Sequence, residues 1–224
     1  MIAENIARIK ATLPQGVRLV AVSKIKPVED ILEAYNAGQR LFGENYATEL
    51  RDKHAVLPAD IQWHFIGHLQ AKQIKYYIDF VSMIHGVDTI DHLEDIDRAA
   101  AKAGRVVDVL LQCHIAREET KFGFSPDELA GIQSSVATMP HVRVCGIMGM
   151  ATNTTDQEQV RREFRELKHI FDSLQSGPFA GHPEFRELSM GMSHDYHIAI
   201  AEGSTLVRLG TSIFGERDYS KLKR

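Results

Sequence analysis

At 224 residues, 44% hydrophobic and 25% charged, the chain is long enough to bury a full core as one large domain or two small ones. Its formal net charge of -4 argues against nucleic acid as the main partner, because phosphate-backbone binding calls for a basic face. No apolar run is long enough to cross a bilayer, and the charged amphipathic start from Met1 to Arg8 is not a signal peptide, so a cytoplasmic globular protein without a membrane partner is expected.

In chain order, the pattern predicts a first helix over 3–13 and then an alternation of short apolar runs with amphipathic ones. Strands are expected over 18–24, 40–45, 62–67, 83–88, 106–115, 142–150, 187–192 and 206–214. Helices are expected over 28–37, 46–56, 70–80, 92–103, 126–139, 156–174 and 195–202. Gly38, Gly104, Gly177 and Gly203 punctuate helix ends, and Ser125-Pro126 opens a helix. Cys113 and Cys145 fall inside strand-like runs without metal-ligand spacing, which predicts buried thiols in a reducing compartment. The basic tail from Lys221 to Arg224 reads as solvated.

Eight strands, each but the last followed by a helix, predict an α/β protein built as a single (β/α)8 TIM barrel over 1–224, with an extra N-terminal helix. A doubly wound open sheet is the alternative. The barrel is favoured because there is no G-x-G-x-x-G and no composition break marking a second domain. In a barrel, function collects at the C-terminal tips of the strands. Those tips carry Lys24, Glu44-Asn45, Gly67-His68, Asp88, His114, Gly149, Ser193 and Gly210-Thr211.

Lys24 ends an apolar strand just before Pro27, which suits the first turn of a helix. A lysine there is either a cation snorkelling to water or a partly desolvated amine of lowered pKa, able to condense with an aldehyde. The segments Met190 to Asp195 and Val207 to Ser212 each place glycine beside a hydroxyl at a strand end. Ser193 stands where a helix N-cap is expected. They are either a phosphate cradle, as at the last two loops of many barrels, or two ordinary tight turns. Arg208 interrupts an apolar strand, as an inward guanidinium with acceptors or as a rim arginine paired to a carboxylate. Ser193-His194-Asp195 is not a catalytic triad, since adjacent side chains diverge, and no metal site is expected: His64 and His68 span a strand end and a turn, while His194 and His197 should be exposed. An aldehyde-seeking lysine, a phosphate cradle and an inward arginine together suggest pyridoxal 5'-phosphate (PLP).

The segments Ala21 to Lys24 with Lys26-Pro27, Gly43 to Asn45, Trp63 to Gln70, Leu188 to Ser193 and Val207 to Gly215 resemble the pyridoxal phosphate homeostasis proteins. The resemblance runs in order through nearly the whole chain and implies a single barrel similar to the N-terminal domain of alanine racemase. It further implies that Lys24 carries a Schiff base, that Ser193, Gly210 and Thr211 hold the phosphate, and that Arg208 faces the pyridine nitrogen. Asn45 and His64 would line the ring pocket. His68 in the turn after the third strand and Tyr196 after His194-Asp195 depart from the family pattern and would alter the pocket mouth.

An arginine beside the pyridine nitrogen disfavours its protonation and makes the ring a poor electron sink. Racemases that resemble this barrel add a tyrosine acid/base from a further β domain, which is expected to be absent here. Tyr219 or Tyr196 would be poorly positioned substitutes. The expectation is therefore a non-catalytic, monomeric PLP carrier that delivers cofactor to PLP-dependent apoenzymes. A weak racemase or lyase and a cofactor-free class I aldolase with Lys24 as its amine are the competing classes.

Overall fold

The computed structural model describes residues 1–116 and 122–218. Tyr219 and the basic tail over 221–224 lie outside the described residues. Eight strands among the described residues, β1 (Arg18–Val22), β2 (Leu41–Glu44), β3 (Gln62–Phe65), β4 (Met83–Val87), β5 (Val107–Gln112), β6 (Val142–Met148), β7 (Glu187–Ser189) and β8 (Leu206–Leu209), close into a barrel in sequence order. Neighbouring strands pair in parallel, including β8 with β1. A helix α1 (Ile2–Thr12) precedes the barrel and packs Ile2, Ile6 and Ile9 inward.

Alternation along each strand decides what faces where. Leu19, Ala21, Trp63, Phe65, Val109, Leu111, Val207 and Leu209 point outward into one large apolar layer beneath the helices. The residues between them turn inward, where Val20, Met83, Leu110, Cys145, Met148 and Leu206 form a separate, smaller cluster. Arg208, His64, His85 and Ser189 share that inward parity and are all buried. The inner cluster is therefore apolar in part and polar in part.

The outer helices are α2 (Val28–Asn36), α3 (Ala47–His54), α4 (Ile90–Lys102), α5 (Pro126–Gly131), α6 (Gln133–Val136), α7 (Gln157–Ser176), α8 (Tyr196–Ala201) and α9 (Thr211–Phe214). Three expectations are corrected. The segment over 70–80 forms a 3-10 helix, Ala71–Tyr76, rather than an α-helix; its first residue has no side-chain cap, and the three-residue repeat stacks Ile74 and Tyr77 on the barrel. The single helix expected over 126–139 breaks into α5 and α6, where Gly131 lowers helix propensity and its carbonyl accepts from the Ser134 hydroxyl.

The third correction bears on function. The last strand does not run to Phe214 but ends at Leu209, and the chain turns at Gly210 into the short helix α9. Apolar Ile213 and Phe214 continue the strand-like composition, yet they are buried on a helix. The apolar run could not reveal the switch, because a short buried helix and a buried strand have the same composition.

Candidate functional site

Strand β1 stops at Val22, two residues before the predicted end, and Lys24 lies in the turn beyond it. The Lys26 amide donates to the Ser23 carbonyl at 3.1 Å, closing that turn. Ile25 holds a φ of 60°, the one positive φ of a non-glycine among the described residues. A β-branched residue in this region is strained, so its surroundings must impose the conformation. The strand register sets Ala21 beside Phe42 and Leu209, and Val22 beside Gly43. The Lys24 turn, Asn45 and Gly210 consequently emerge side by side at one end of the barrel.

Lys24 is half-buried, and its amine is lowered from the usual lysine value. Burial is the largest cause, followed by the Arg217 guanidinium, with Glu44 and Glu49 pulling the other way. Lys26, by contrast, donates its ammonium to the carbonyls of Phe214 at 2.8 Å and Glu216 at 2.6 Å, bridging the β1 turn to the end of α9. Of the two neighbouring lysines, one has an amine tuned toward neutrality and the other serves as a brace.

The Ser193 hydroxyl does not cap α8, whose first turn carries no side-chain cap. Instead it accepts long hydrogen bonds from the Gly210 amide at 3.3 Å and the Ser212 amide at 3.5 Å, at the start of α9. Three kinds of group that suit an anion thus converge: backbone N–H groups, a hydroxyl and glycine. A Cβ at Gly210 would overlap the Arg217 guanidinium and approach the Val22 carbonyl, so glycine is what lets this cation close over the turn. The Nε of Arg217 is buried without a hydrogen-bond partner. Ser212 and Arg217 are not among the contacts expected from sequence. The strand expected over 206–214 conceals Ser212, and Arg217 lies beyond the last motif, in a segment without a site signal. Thr211 is exposed at the first position of α9.

Asn45 follows β2 with its side-chain oxygen buried and unpaired. Gly67, at the end of β3, allows a close crossing, since any Cβ there would overlap the Asn45 carbonyl. Both uncommitted atoms, Asn45 Oδ1 and Arg217 Nε, belong to side chains at the same end of the barrel as Lys24.

Arg208 is buried, as the first of its two sequence readings required. Its guanidinium donates to the Ser189 hydroxyl at 2.5 Å and to the Gly149 carbonyl at 3.3 Å. Burial lowers its pKa to about 10, still a cation at neutral pH, with Asp195 opposing the fall. The chain of contacts continues from Ser189 to His85 Nδ1 at 3.1 Å and from His85 Nε2 to His64 Nδ1 at 2.9 Å. Arginine can only donate, so Ser189 accepts from it, while the donor and acceptor roles of the two imidazoles follow from their tautomers. Both imidazoles are neutral: burial takes His64 down to about 3 and His85 well below its usual value. The Nδ1 of His64 is committed to this relay. His85 carries no site signal in the sequence, because a lone histidine in an apolar run resembles an ordinary core residue.

Behind the Lys24 turn, Lys53 and Glu49, one turn apart on α3, meet Glu44 from β2. Burial pushes the Glu44 carboxyl up to about 7, with Lys53 acting against it. The folded protein therefore keeps this proton between 4.5, the ordinary value, and about 7, while the unfolded chain releases it. Its stabilising contribution is complete below 4.5 and is lost as pH rises through about 7. We expect unfolding free energies to fall between pH 5 and 8 relative to Glu44→Gln, whose amide does not titrate; parallel profiles in urea titrations would contradict this assignment.

The family model described as "Alanine racemase, N-terminal domain" matches residues 1–218. A pyridoxal phosphate homeostasis protein of Aquifex aeolicus is 40% identical over 203 residues, covering 90% of this chain and 88% of the relative. The chain belongs to the pyridoxal phosphate homeostasis protein family. Among solved structures, PipY of Synechococcus elongatus superposes with a TM-score of 0.90 at 35% identity without PLP, and with 0.87 at 35% with PLP bound. Each match covers 96% of this chain and 100% of PipY. The family's barrel thus matches the closed parallel sheet observed here. No helix among the described residues is long and apolar enough to cross a membrane, and none of their acidic, histidine or cysteine groups forms a metal-binding cluster.

Proposed function

We propose that this protein is a non-catalytic PLP carrier, a single cytoplasmic barrel domain acting as a monomer, which holds the cofactor through Lys24 and passes it to PLP-dependent apoenzymes. The observation that carries this reading is the half-buried Lys24 amine beside the Ser193–Gly210–Ser212 cradle and Arg217. PLP supplies an aldehyde, a pyridine ring and a phosphate dianion. Lys24 would hold the cofactor through its aldehyde, the carbonyl with which a neutral amine condenses as both amine protons and the carbonyl oxygen leave as water. A lowered amine pKa favours this condensation at neutral pH, because only the neutral amine is nucleophilic.

The other residues bind and orient. Amides of Gly210 and Ser212, the hydroxyls of Ser193 and Thr211 and the Arg217 guanidinium suit a phosphate, and the unpaired Asn45 oxygen suits a polar edge of the ring. His64, at the end of the relay, would line the ring pocket. The Arg208 guanidinium is anchored by Ser189 and Gly149 and can only donate, so it would suit an unprotonated pyridine nitrogen. An unprotonated ring withdraws electrons weakly, which supports holding the cofactor over catalysis on amino acids. Resemblance to PipY, which binds PLP in one of its structures, supports the same reading.

Purified protein should absorb as a PLP imine, and borohydride reduction followed by peptide mapping should place the label on Lys24. A colourless protein that takes up no added PLP would overturn the assignment. Turnover of a single amino acid to its mirror image, followed by chiral separation, would instead make it an enzyme. Ser193→Ala removes one charge-assisted hydrogen bond, worth about 1.5–3 kcal/mol, and should weaken PLP binding by roughly one to two orders of magnitude with the imine spectrum unchanged at saturation.

A further inference from the structure

Lys53 is buried on α3, and its ammonium donates to three acceptors at 2.7 Å each: the Ser23 carbonyl, Glu44 Oε1 and Glu49 Oε1. All three of its protons are used. Glu44 Oε1 also accepts the Ser23 hydroxyl at 2.6 Å, and Glu49 Oε1 also accepts the Ile25 amide at 2.7 Å. The two residues that flank Lys24 are thus gripped, one through its carbonyl and hydroxyl and the other through its amide. Both grips converge on a single ammonium.

These contacts coincide with the strained φ of Ile25. An amide turned toward α3 needs an acceptor there, and Glu49 supplies it. The i,i+4 spacing of Glu49 and Lys53 sets carboxylate and ammonium on one helix face. Glu44 comes from β2, next to β1 in the barrel, so the clamp ties the turn to both the strand layer and the helix layer. A buried lysine needs partners, and here they are supplied by the segment that presents Lys24.

We propose that Lys53, with Glu49 and Glu44, is a positioning residue that holds the Ser23–Lys26 turn in its left-handed form and so aims the Lys24 amine at the aldehyde. This role presupposes the Schiff base at Lys24 proposed above. It makes Lys53 matter for capture of the aldehyde and not for recognition of phosphate and ring, which other loops provide. The strain at Ile25 gives the role a distinctive signature. Glycine adopts a φ near +60° without steric cost, so Ile25→Gly should let the turn form with the clamp weakened.

The test compares PLP with pyridoxine 5'-phosphate, which has an alcohol in place of the aldehyde. Lys53→Met should weaken PLP binding about tenfold, read from the imine band, while pyridoxine 5'-phosphate affinity changes less than twofold. Adding Ile25→Gly to Lys53→Met should restore most of the imine. Equal losses for both ligands, no loss for either, or no rescue by Ile25→Gly would each overturn the positioning role. Should Lys53→Met not fold, Glu49→Gln, which weakens the grip on the Ile25 amide at a less buried site, should show the same selective loss, and equal effects on both ligands would overturn the role. A wild-type protein that binds both ligands but forms no imine would refute the Lys24 assignment instead.

Discussion

Lys24→Ala is expected to abolish the imine absorbance completely, while Lys26→Ala retains most of it. The two lysines are two residues apart and equally charged in the sequence, but the fold gives them opposite surroundings. Lys24 sits half-buried with its amine lowered by burial and by Arg217. The Lys26 ammonium is occupied by the Phe214 and Glu216 carbonyls. Condensation at Lys26 would first have to break those hydrogen bonds. Lys26→Ala should therefore cost some stability through the lost brace to α9, while leaving the chromophore in place. Absorbance after borohydride reduction, with mass mapping of the labelled peptide, distinguishes the two; label persisting in Lys24→Ala and missing from Lys26→Ala would reverse the assignment.

Gly67→Ala should be the most damaging small substitution at this end of the barrel. A methyl at Gly67 would overlap the Asn45 carbonyl, carbon and Cα, so relief requires the tips of β2 and β3 to separate. Overpacking costs about 1–3 kcal/mol and more when the obstacle is backbone. At about 2–4 °C per kcal/mol for a chain of this size, a cost near 3 kcal/mol corresponds to a fall in Tm of about 6–12 °C. Because Asn45 comes directly after the displaced strand, cofactor binding should weaken as well. Gly131→Ala is the control: nothing lies within 4 Å of its Cβ position, and alanine favours helix, so its Tm should hold or rise slightly. A Gly67→Ala protein melting within 2 °C of wild type would show that the two strand tips separate at little cost.

The alternation of apolar and amphipathic segments is enough to read a parallel barrel with an added first helix, because both periodicities are local properties of the chain. Strand ends are overrun at β1, β7 and β8, since a buried turn residue such as Ser23 or Met190 looks the same in sequence as a strand residue. The segment over 126–139 reads as one helix because the capping box at Ser125 marks a start, whereas Gly131 only lowers helix propensity and marks no definite stop. Lys24, Ser193 and Gly210 are legible because a lysine, or a glycine with a hydroxyl, is conspicuous at the end of an apolar run.

By itself, then, the sequence determined the order of elements, the end of the barrel where lysine, glycine and hydroxyl groups gather and the residues that open its loops. All three depend on short-range patterns of polarity and turn-forming residues. Only the tertiary structure decided which side chains meet across the barrel: Arg208 with Ser189, His85 and His64, Ser193 with the start of α9, Arg217 over Gly210, and Lys53 beneath the Lys24 turn. Those pairings join residues as many as 104 positions apart. Such contacts depend on closure and strand register, which place distant inward-facing residues side by side and leave no trace in the local pattern.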